Sequence, residues 1–334
     1  MRQHHPARAR DLGIVVGHLG TGTHNAITDV PGVSVGHTTV IQDPDIRTGV
    51  TAVVPAGVLP ADGQLPAALA VGNGHGKLVG ATQIAELGVI ETPVLLTATL
   101  SIFRVADALV GYLLALPGYE SVQSVNPVVG ETNDGFLSDI RARPVTAEHV
   151  LAALTSAAGG PVAEGAVGAG TGTGALGYKA GIGTSSRLLN GTHVGALVQA
   201  NFAGTLTIPG LAGPAQTPPP APHDDERGNS CVIVVATDAA VDARQLGRIA
   251  RRALVGLART GSDFTSGSGD YALAFSTAAP GAATIPEAAL APLFTATIDS
   301  VQEAIYNSLF MARTTTGRLG HTLRAAPHNF DPAR

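Results

Sequence analysis

The chain carries a single cysteine, Cys231, in 334 residues, so no internal disulfide can staple it and a reducing compartment suits it. Aromatic residues make up only 4%, too few to line a base-stacking surface. No run approaches the roughly 18 apolar residues of a membrane-spanning helix. The basic start, MRQHHPARARDLGIVVG, lacks the continuous apolar stretch of a secretory signal before its first strand-like segment. Charged residues amount to 13%, with a formal net charge of -5, which supplies no general attraction for phosphate backbones or anionic lipid. Nucleic acid and membrane are therefore not expected as partners, and a cytoplasmic location is. Eleven histidines are scattered without a His-Glu-x-x-His or His-x-His pair, and one cysteine cannot build a thiolate site, so no metal and no cofactor is expected.

What is present in quantity is apolar surface and glycine. Hydrophobic residues reach 45%, and there are 42 glycines, the composition of a folded chain with many close backbone approaches. From Asp11 to about Gly57, short apolar runs alternate with Gly, Pro, Asp and Asn, the pattern of strands joined by tight turns. GATQIAELG (80–88) reads as a short helix, TPVLLTATL (92–100) as a buried strand, and IFRVADALVGYLLAL (102–116) as an amphipathic helix stopped by Pro117 and Gly118. The glycine-rich tract 164–189 lacks the Gly-Lys-Ser/Thr ending of a phosphate loop, and reads as a tight loop or bulged strand before the strand HVGALVQANF.

Beyond it lies the one clear linker, Pro-rich and then charged, so that residues 209–229 are expected to be exposed. A strand follows at Cys231 to Ala236, then a helix from about Asp242 to Arg259 with Leu246, Ile249, Ala253, Leu254 and Leu257 on one face. The arginines of RRALVGLART, with Arg244 and Arg248, recur at helical spacing and read as its solvated face. A last long helix presents Phe294, Ile298, Val301, Ile305 and Leu309 at spacings of three and four. Helices flanking paired strands imply an α/β layered sandwich.

At the seam between linker and strand the chain reads Gly228-Asn229-Ser230-Cys231. A serine opening a strand beside a loop is commonplace, but this one follows a flexible connector and heads a strand expected to be central. Cleavage between Asn229 and Ser230 would place an α-amine on the residue that carries the hydroxyl. With a pKa near 7.7 to 8.0, roughly a tenth of such amines are unprotonated at pH 7, enough to serve as general base for their own hydroxyl. The cut needs no outside protease, because the Ser230 hydroxyl can attack the Asn229 carbonyl while Gly228 permits the approach. Cys231 points to the opposite face of the strand and is expected to pack in the core.

The segments ITDVPGVSVGH, GVTAVVP, VVGETNDGFLSDI, GIGTSSR, VGALVQANF, RGNSCVIVVATDA, LARTGSDFTSGSGDYALAFST and TTTGRLGH resemble, in that order, the L-aminopeptidase/D-esterase and β-peptidyl aminopeptidase family of self-processing N-terminal-serine hydrolases. The resemblance implies an α-β-β-α sandwich of the N-terminal-nucleophile-like, ornithine acetyltransferase-related type. It further implies one catalytic domain, residues 1–334, cut into chains 1–229 and 230–334 that assemble as tetramers of those pairs. Carried over by motif, Ser230 is the nucleophile. Ser268 and Asp270, otherwise ordinary turn residues, hold its freed amine. Asn201 resembles the side-chain donor of an oxyanion hole, and Glu131 the carboxylate that receives the substrate's ammonium group. Two positions depart from the pattern: Asn133 stands where some relatives carry Tyr, and Lys77, in GNGHGKLVG, where an acidic residue is familiar; both bear on substrate preference.

The implied activity is hydrolysis of the N-terminal residue of a short peptide, amide or ester, including β-amino acid or D-residue substrates, through an acyl-enzyme on Ser230. Two other readings stand beside it. An acyltransferase of the ornithine acetyltransferase type also self-cleaves but exposes a threonine, and an inactive homologue would bind amine ligands without turnover.

Overall fold

The structure, a computed structural model, describes residues 5–59, 61, 63–211 and 229–328. Most of the expected linker, with Gly228, lies outside the described residues. The strands are β1 (Val33–Gln42), β2 (Ile46–Pro55), β3 (Leu65–Gly74), β4 (Leu78–Val79), β5 (Val89–Ile90), β6 (Val94–Ala98), β7 (Val128–Thr132), β8 (Gly174–Ala175), β9 (Tyr178–Lys179), β10 (Ile182–Leu189), β11 (Thr192–Asn201), β12 (Asn229–Thr237) and β13 (Ser268–Ser276). The helices are α1 (Ala81–Leu87), α2 (Ile102–Leu114), α3 (Ala147–Thr155), α4 (Ala243–Arg259) and α5 (Leu290–Phe310).

Two sheets stack face to face. One has the order β1-β2-β6-β7-β4, the other β10-β11-β12-β13-β3-β5. Alternation along the strands sorts their side chains into three apolar layers. On β12, Val232, Val234 and Ala236 join Val53, Val94 and Leu96 of the facing sheet between the two sheets. Cys231, Ile233 and Val235 point the other way, into the layer under α4 and α5 that also holds Leu246, Ile249, Val301 and Ile305. A third layer, built on Val50, Ala52, Leu95 and Val129, lies under α2 and α3 with Ile102, Leu109 and Val150. The architecture is thus α/β/β/α, as the resemblance implies. Cys231 is wholly buried in the helix-side core, and burial pushes its thiol well above the usual range.

Helix α4 starts where its chemistry dictates. Asp242 accepts the N–H of Gln245 at 2.7 Å, and Gln245 reaches back to the N–H of Asp242 at 3.2 Å, a reciprocal cap. Its arginine face does meet solvent, but Arg244 and Arg248 both pair with Glu287, and Arg252 lies 4.1 Å over the ring of Phe294.

One expectation needs correction. Residues 11–32 contain no strand. They run as an irregular segment with 3-10 turns at Ala9–Leu12 and Ile27–Asp29, because side chains meet the backbone polar groups: Asp29 accepts from the N–H groups of His24 and Ala26, and Arg8 donates to the carbonyls of His24 and Asn25. Helix α5 stands where expected with its apolar face inward, and over its second half burial extends all round: every residue from Asp299 to Phe310 is buried. It is covered by β10 and β11 on one side, α4 on another, and the 3-10 turn at Ala9–Leu12 on a third, so its polar residues are matched by buried partners instead of water.

Candidate active site

Ser230 is the second residue of β12, a strand paired on both sides. Across the antiparallel pair with β11 it faces Asn201, and across the parallel pair with β13 it faces Gly269. Directly opposed residues of antiparallel strands share a face, with Cβ atoms about 4.5–5.5 Å apart, so Asn201 and Ser230 look together into the space between the sheets. The Ser230 hydroxyl donates to the Asn229 carbonyl in a very short contact, and accepts from the Gly269 N–H at 3.3 Å. Asn229 is held in turn, its amide donating to Thr265 Oγ1 at 3.0 Å.

Close packing puts β13 against the serine. A Cβ built on Gly269 would lie 2.6 Å from Gly76 Cα and 3.3 Å from Ser230 Oγ, so a side chain at 269 would push the 75–77 loop away from β13. Beside this glycine, Ser268 Oγ donates to Asp270 Oδ1 at 2.8 Å, and Asn73 Nδ2 donates to Asp270 Oδ2 at 2.9 Å. Burial pushes the Asp270 carboxyl above its ordinary 3.8, against the opposing pull of Asn73, Ser268 and the Cys231 N–H. Ser268, Asp270 and Ser230 are at most 4% exposed.

The Asn201 side chain is fixed at both ends. Nδ2 donates to the Asn133 carbonyl at 2.8 Å, and Oδ1 accepts from the Gly174 N–H at 3.1 Å. Asn133 thus enters the site through its main chain, while its own Oδ1 accepts from the Gly135 N–H at 2.9 Å, closing a local turn. Glu131, the fourth residue of β7, approaches from the facing sheet with its side chain 2% exposed. Its Oε1 would lie 3.1 Å from a Cβ on Gly76, which would also lie 3.0 Å from Gly269 Cα, so Glu131 and Gly269 meet at the same small loop. Tyr271 lines this contact, and burial together with the Glu131 and Asp270 charges raises its phenol above the usual 10.0.

The six residues singled out from the sequence and described here therefore converge, Ser230, Asn201, Ser268, Asp270, Glu131 and Asn133, with Asn229 beside them. The structure adds groups that sequence reading passed over and shows what Lys77, already singled out, touches. Asn73 holds Asp270; Gly269 supplies an N–H to Ser230 Oγ. Lys77 donates to Glu131 from both its main-chain N–H, at 2.9 Å, and its ammonium, at 3.3 Å. Behind Asn133, Asp134 is 1% exposed with neither carboxylate oxygen hydrogen-bonded; burial and the nearby Glu131 charge raise its carboxyl. Lys179, its buried counter-charge, donates to the carbonyls of Gly170, Thr173 and Ala180 and so ties down the turn whose Gly174 N–H orients Asn201. Asn73 lies in GNGHGKLVG, the stretch in which Lys77 stands out against the family pattern, and its place among close-set glycines is its only sequence signal. Among the described residues no three His, Cys, Asp or Glu side chains gather as metal ligands, and no helix is long and apolar enough to cross a membrane.

A serine heading a central strand, on the inner face of an α/β/β/α sandwich, is the arrangement of an N-terminal-nucleophile hydrolase. The sequence model of peptidase family S58 matches residues 25–323. The beta-peptidyl aminopeptidase BapA of Sphingosinicella microcystinivorans is 38% identical, over 96% of this chain and 90% of that protein. Among solved structures, a Burkholderia sp. beta-aminopeptidase is 39% identical with a TM-score of 0.89, over 96% of both chains. The L-aminopeptidase D-Ala-esterase/amidase of Ochrobactrum anthropi, described as a variant of the Ntn hydrolase fold, is 35% identical with a TM-score of 0.88, again over 96% of both. The chain belongs to peptidase family S58. By that membership it is a serine aminopeptidase of the N-terminal-nucleophile hydrolase class.

Proposed function

We propose that the chain cuts itself between Asn229 and Ser230 and then removes small N-terminal residues, β-amino acids among them, from short peptides, amides or esters. The observation that carries this reading is the Ser230 hydroxyl folded onto its own preceding carbonyl, with the Gly269 N–H behind it. In self-processing, Ser230 Oγ adds to the Asn229 carbonyl carbon and its proton passes to the departing Ser230 nitrogen. The peptide becomes an ester. Water then hydrolyses that ester, leaving a carboxylate on Asn229 and both an amine and a hydroxyl on Ser230.

In turnover the free amine takes the hydroxyl proton as Oγ attacks the substrate carbonyl, and passes it to the leaving amine. Ser268 and Asp270, level with the cut on the neighbouring strand, hold and electrostatically support that amine. The Asn201 amide, aligned by Asn133 and Gly174, faces the developing oxyanion as a preorganised dipole. Glu131 receives the substrate ammonium by a charge-assisted hydrogen bond. Water resolves the acyl-enzyme. The same proposal places the enzyme in the cytoplasm, as tetramers of processed pairs, to be checked by native mass spectrometry.

Intact mass and N-terminal sequencing of the purified protein under denaturing conditions test the core of this reading. A small chain beginning Ser-Cys-Val-Ile is expected, with loss of both the cut and all amide turnover in Ser230→Ala. Cleavage at that bond surviving in Ser230→Ala would sink it.

A further inference from the structure

The seat assigned to the substrate ammonium already has a cation beside it. Glu131 Oε1 accepts from the Lys77 N–H and from Lys77 Nζ, and Nζ also donates to Thr99 Oγ1 at 2.7 Å. Glu131 Oε2 accepts nothing from the described residues. An ammonium has three donors, and two of those on Lys77 are used. The side chain of Lys77 is 43% exposed against 2% for Glu131, so the lysine end of the pair faces solvent. The preceding residue, Gly76, packs on Gly269, and Gly269 packs on Ser230 Oγ. The pair therefore borders the space in front of the nucleophile.

A lone buried carboxylate would recognise an ammonium and nothing else. Here the carboxylate is half neutralised, and a positive charge stands within 3.3 Å of it. A ligand that matches both must bring an ammonium to Glu131 Oε2 and an anion to Lys77 Nζ, the two charges side by side.

Resting on the aminopeptidase reading above, we propose that Lys77 and Glu131 form a zwitterion subsite whose acyl residue is an N-terminal β-aspartyl residue. In that residue the ammonium and the α-carboxylate sit on one carbon, two bonds from the scissile carbonyl carbon. An α-linked aspartyl residue carries its carboxylate one carbon further from its ammonium and so spans the adjacent charges poorly. The reaction is plain hydrolysis: the β-amide C–N bond breaks by way of the Ser230 ester, one water is consumed, and free aspartate and the amine leave.

The test compares two p-nitroanilides on the processed enzyme, β-aspartyl and 3-aminobutyryl, which differ only in carboxylate against methyl on the ammonium-bearing carbon. The wild type is expected to favour β-aspartyl by at least tenfold in kcat/KM. Lys77→Met should lower that ratio tenfold or more, mainly through KM, and Lys77→Arg should keep most of it. A wild-type ratio at or below one overturns the subsite without reference to any variant. So does a ratio unchanged in Lys77→Met that has processed normally, and a rise in 3-aminobutyryl turnover there would identify Lys77 as a plug. A fully processed enzyme that cleaves neither anilide, nor peptides with α- or β-residues, overturns the aminopeptidase reading and the subsite together.

Discussion

Two groups of buried charges use the same residue types in opposite ways. Arg187 and Glu303, both wholly buried, meet at 2.7 Å. Glu303 also accepts from Arg10 at 2.8 Å and from Asn25 at 2.5 Å, while Arg187 donates to the carbonyls of Ser186, Val16 and Asp299. Arg187 Nε, Arg10 Nη2 and Asp299 Oδ2 lack partners there, but both oxygens of Glu303 are met by donors. Near the candidate site, Glu131 is met among the described residues by Lys77, and neither Asp134 oxygen has a hydrogen-bond partner among them. The first group is closed by the protein and binds the N-terminal segment to β10 and α5. The second is left open, and open buried carboxylates are costly to hold, which is the condition of a site that receives charge from outside.

The sharpest way to break this comparison is to open the closed group. Arg187→Met leaves Glu303 without its buried partner, and removing one member of such a pair costs about 3–5 kcal/mol. Urea denaturation should show a loss of that order, with turnover per folded molecule unchanged. Next comes the site: Asn201→Ala should lower kcat by about 10²–10³, the usual cost of an oxyanion donor, with little change in KM in steady-state assays.

A smaller effect concerns pH. Burial raises Asp270 above 3.8, so the folded chain binds its proton more tightly than the unfolded chain. Stability from this group is therefore lost as pH rises from 3.8 through the raised value. Asp270→Asn escapes that cost. It should melt above the parent at pH 7 and lose the advantage near pH 3, although its turnover falls; a difference that does not shrink on acidification would contradict the assignment. The smallest effect belongs at the surface. Glu287 pairs with Arg244 and Arg248 in full view of solvent, and Glu287→Gln should leave the melting midpoint unmoved.

How much of this could be read from the sequence depends on the range of the contact. The β12 strand, the Asp242 start of α4 and the burial of Cys231 follow from local rules of alternation, capping and turn chemistry, and each stands in the structure; most of the linker side of the seam at Ser230 lies outside the described residues. Ser268, Asp270, Asn201 and Glu131 were legible through the family resemblance, since taken singly each looks like an ordinary turn or strand-end residue. The partners that set their chemistry were not legible. Asn73 meets Asp270 only because β3 is registered against β13, and Lys77 meets Glu131 through the β4–β7 pairing. Asn133 acts by its carbonyl, which no side-chain pattern signals. The all-round burial of the second half of α5 was not legible either, because periodicity marks one face and tertiary packing covers the rest.

The place of β12 in its sheet has a further consequence. It is hydrogen-bonded to β11 on one side and β13 on the other, so the proposed cut at its head would leave it clamped, and the two products would remain one folded body. Their unfolding would then separate two molecules where before there was one. Recovery of the fold would change from a first-order to a second-order event, dependent on concentration, and the mature enzyme would owe its persistence to the slowness of coming apart.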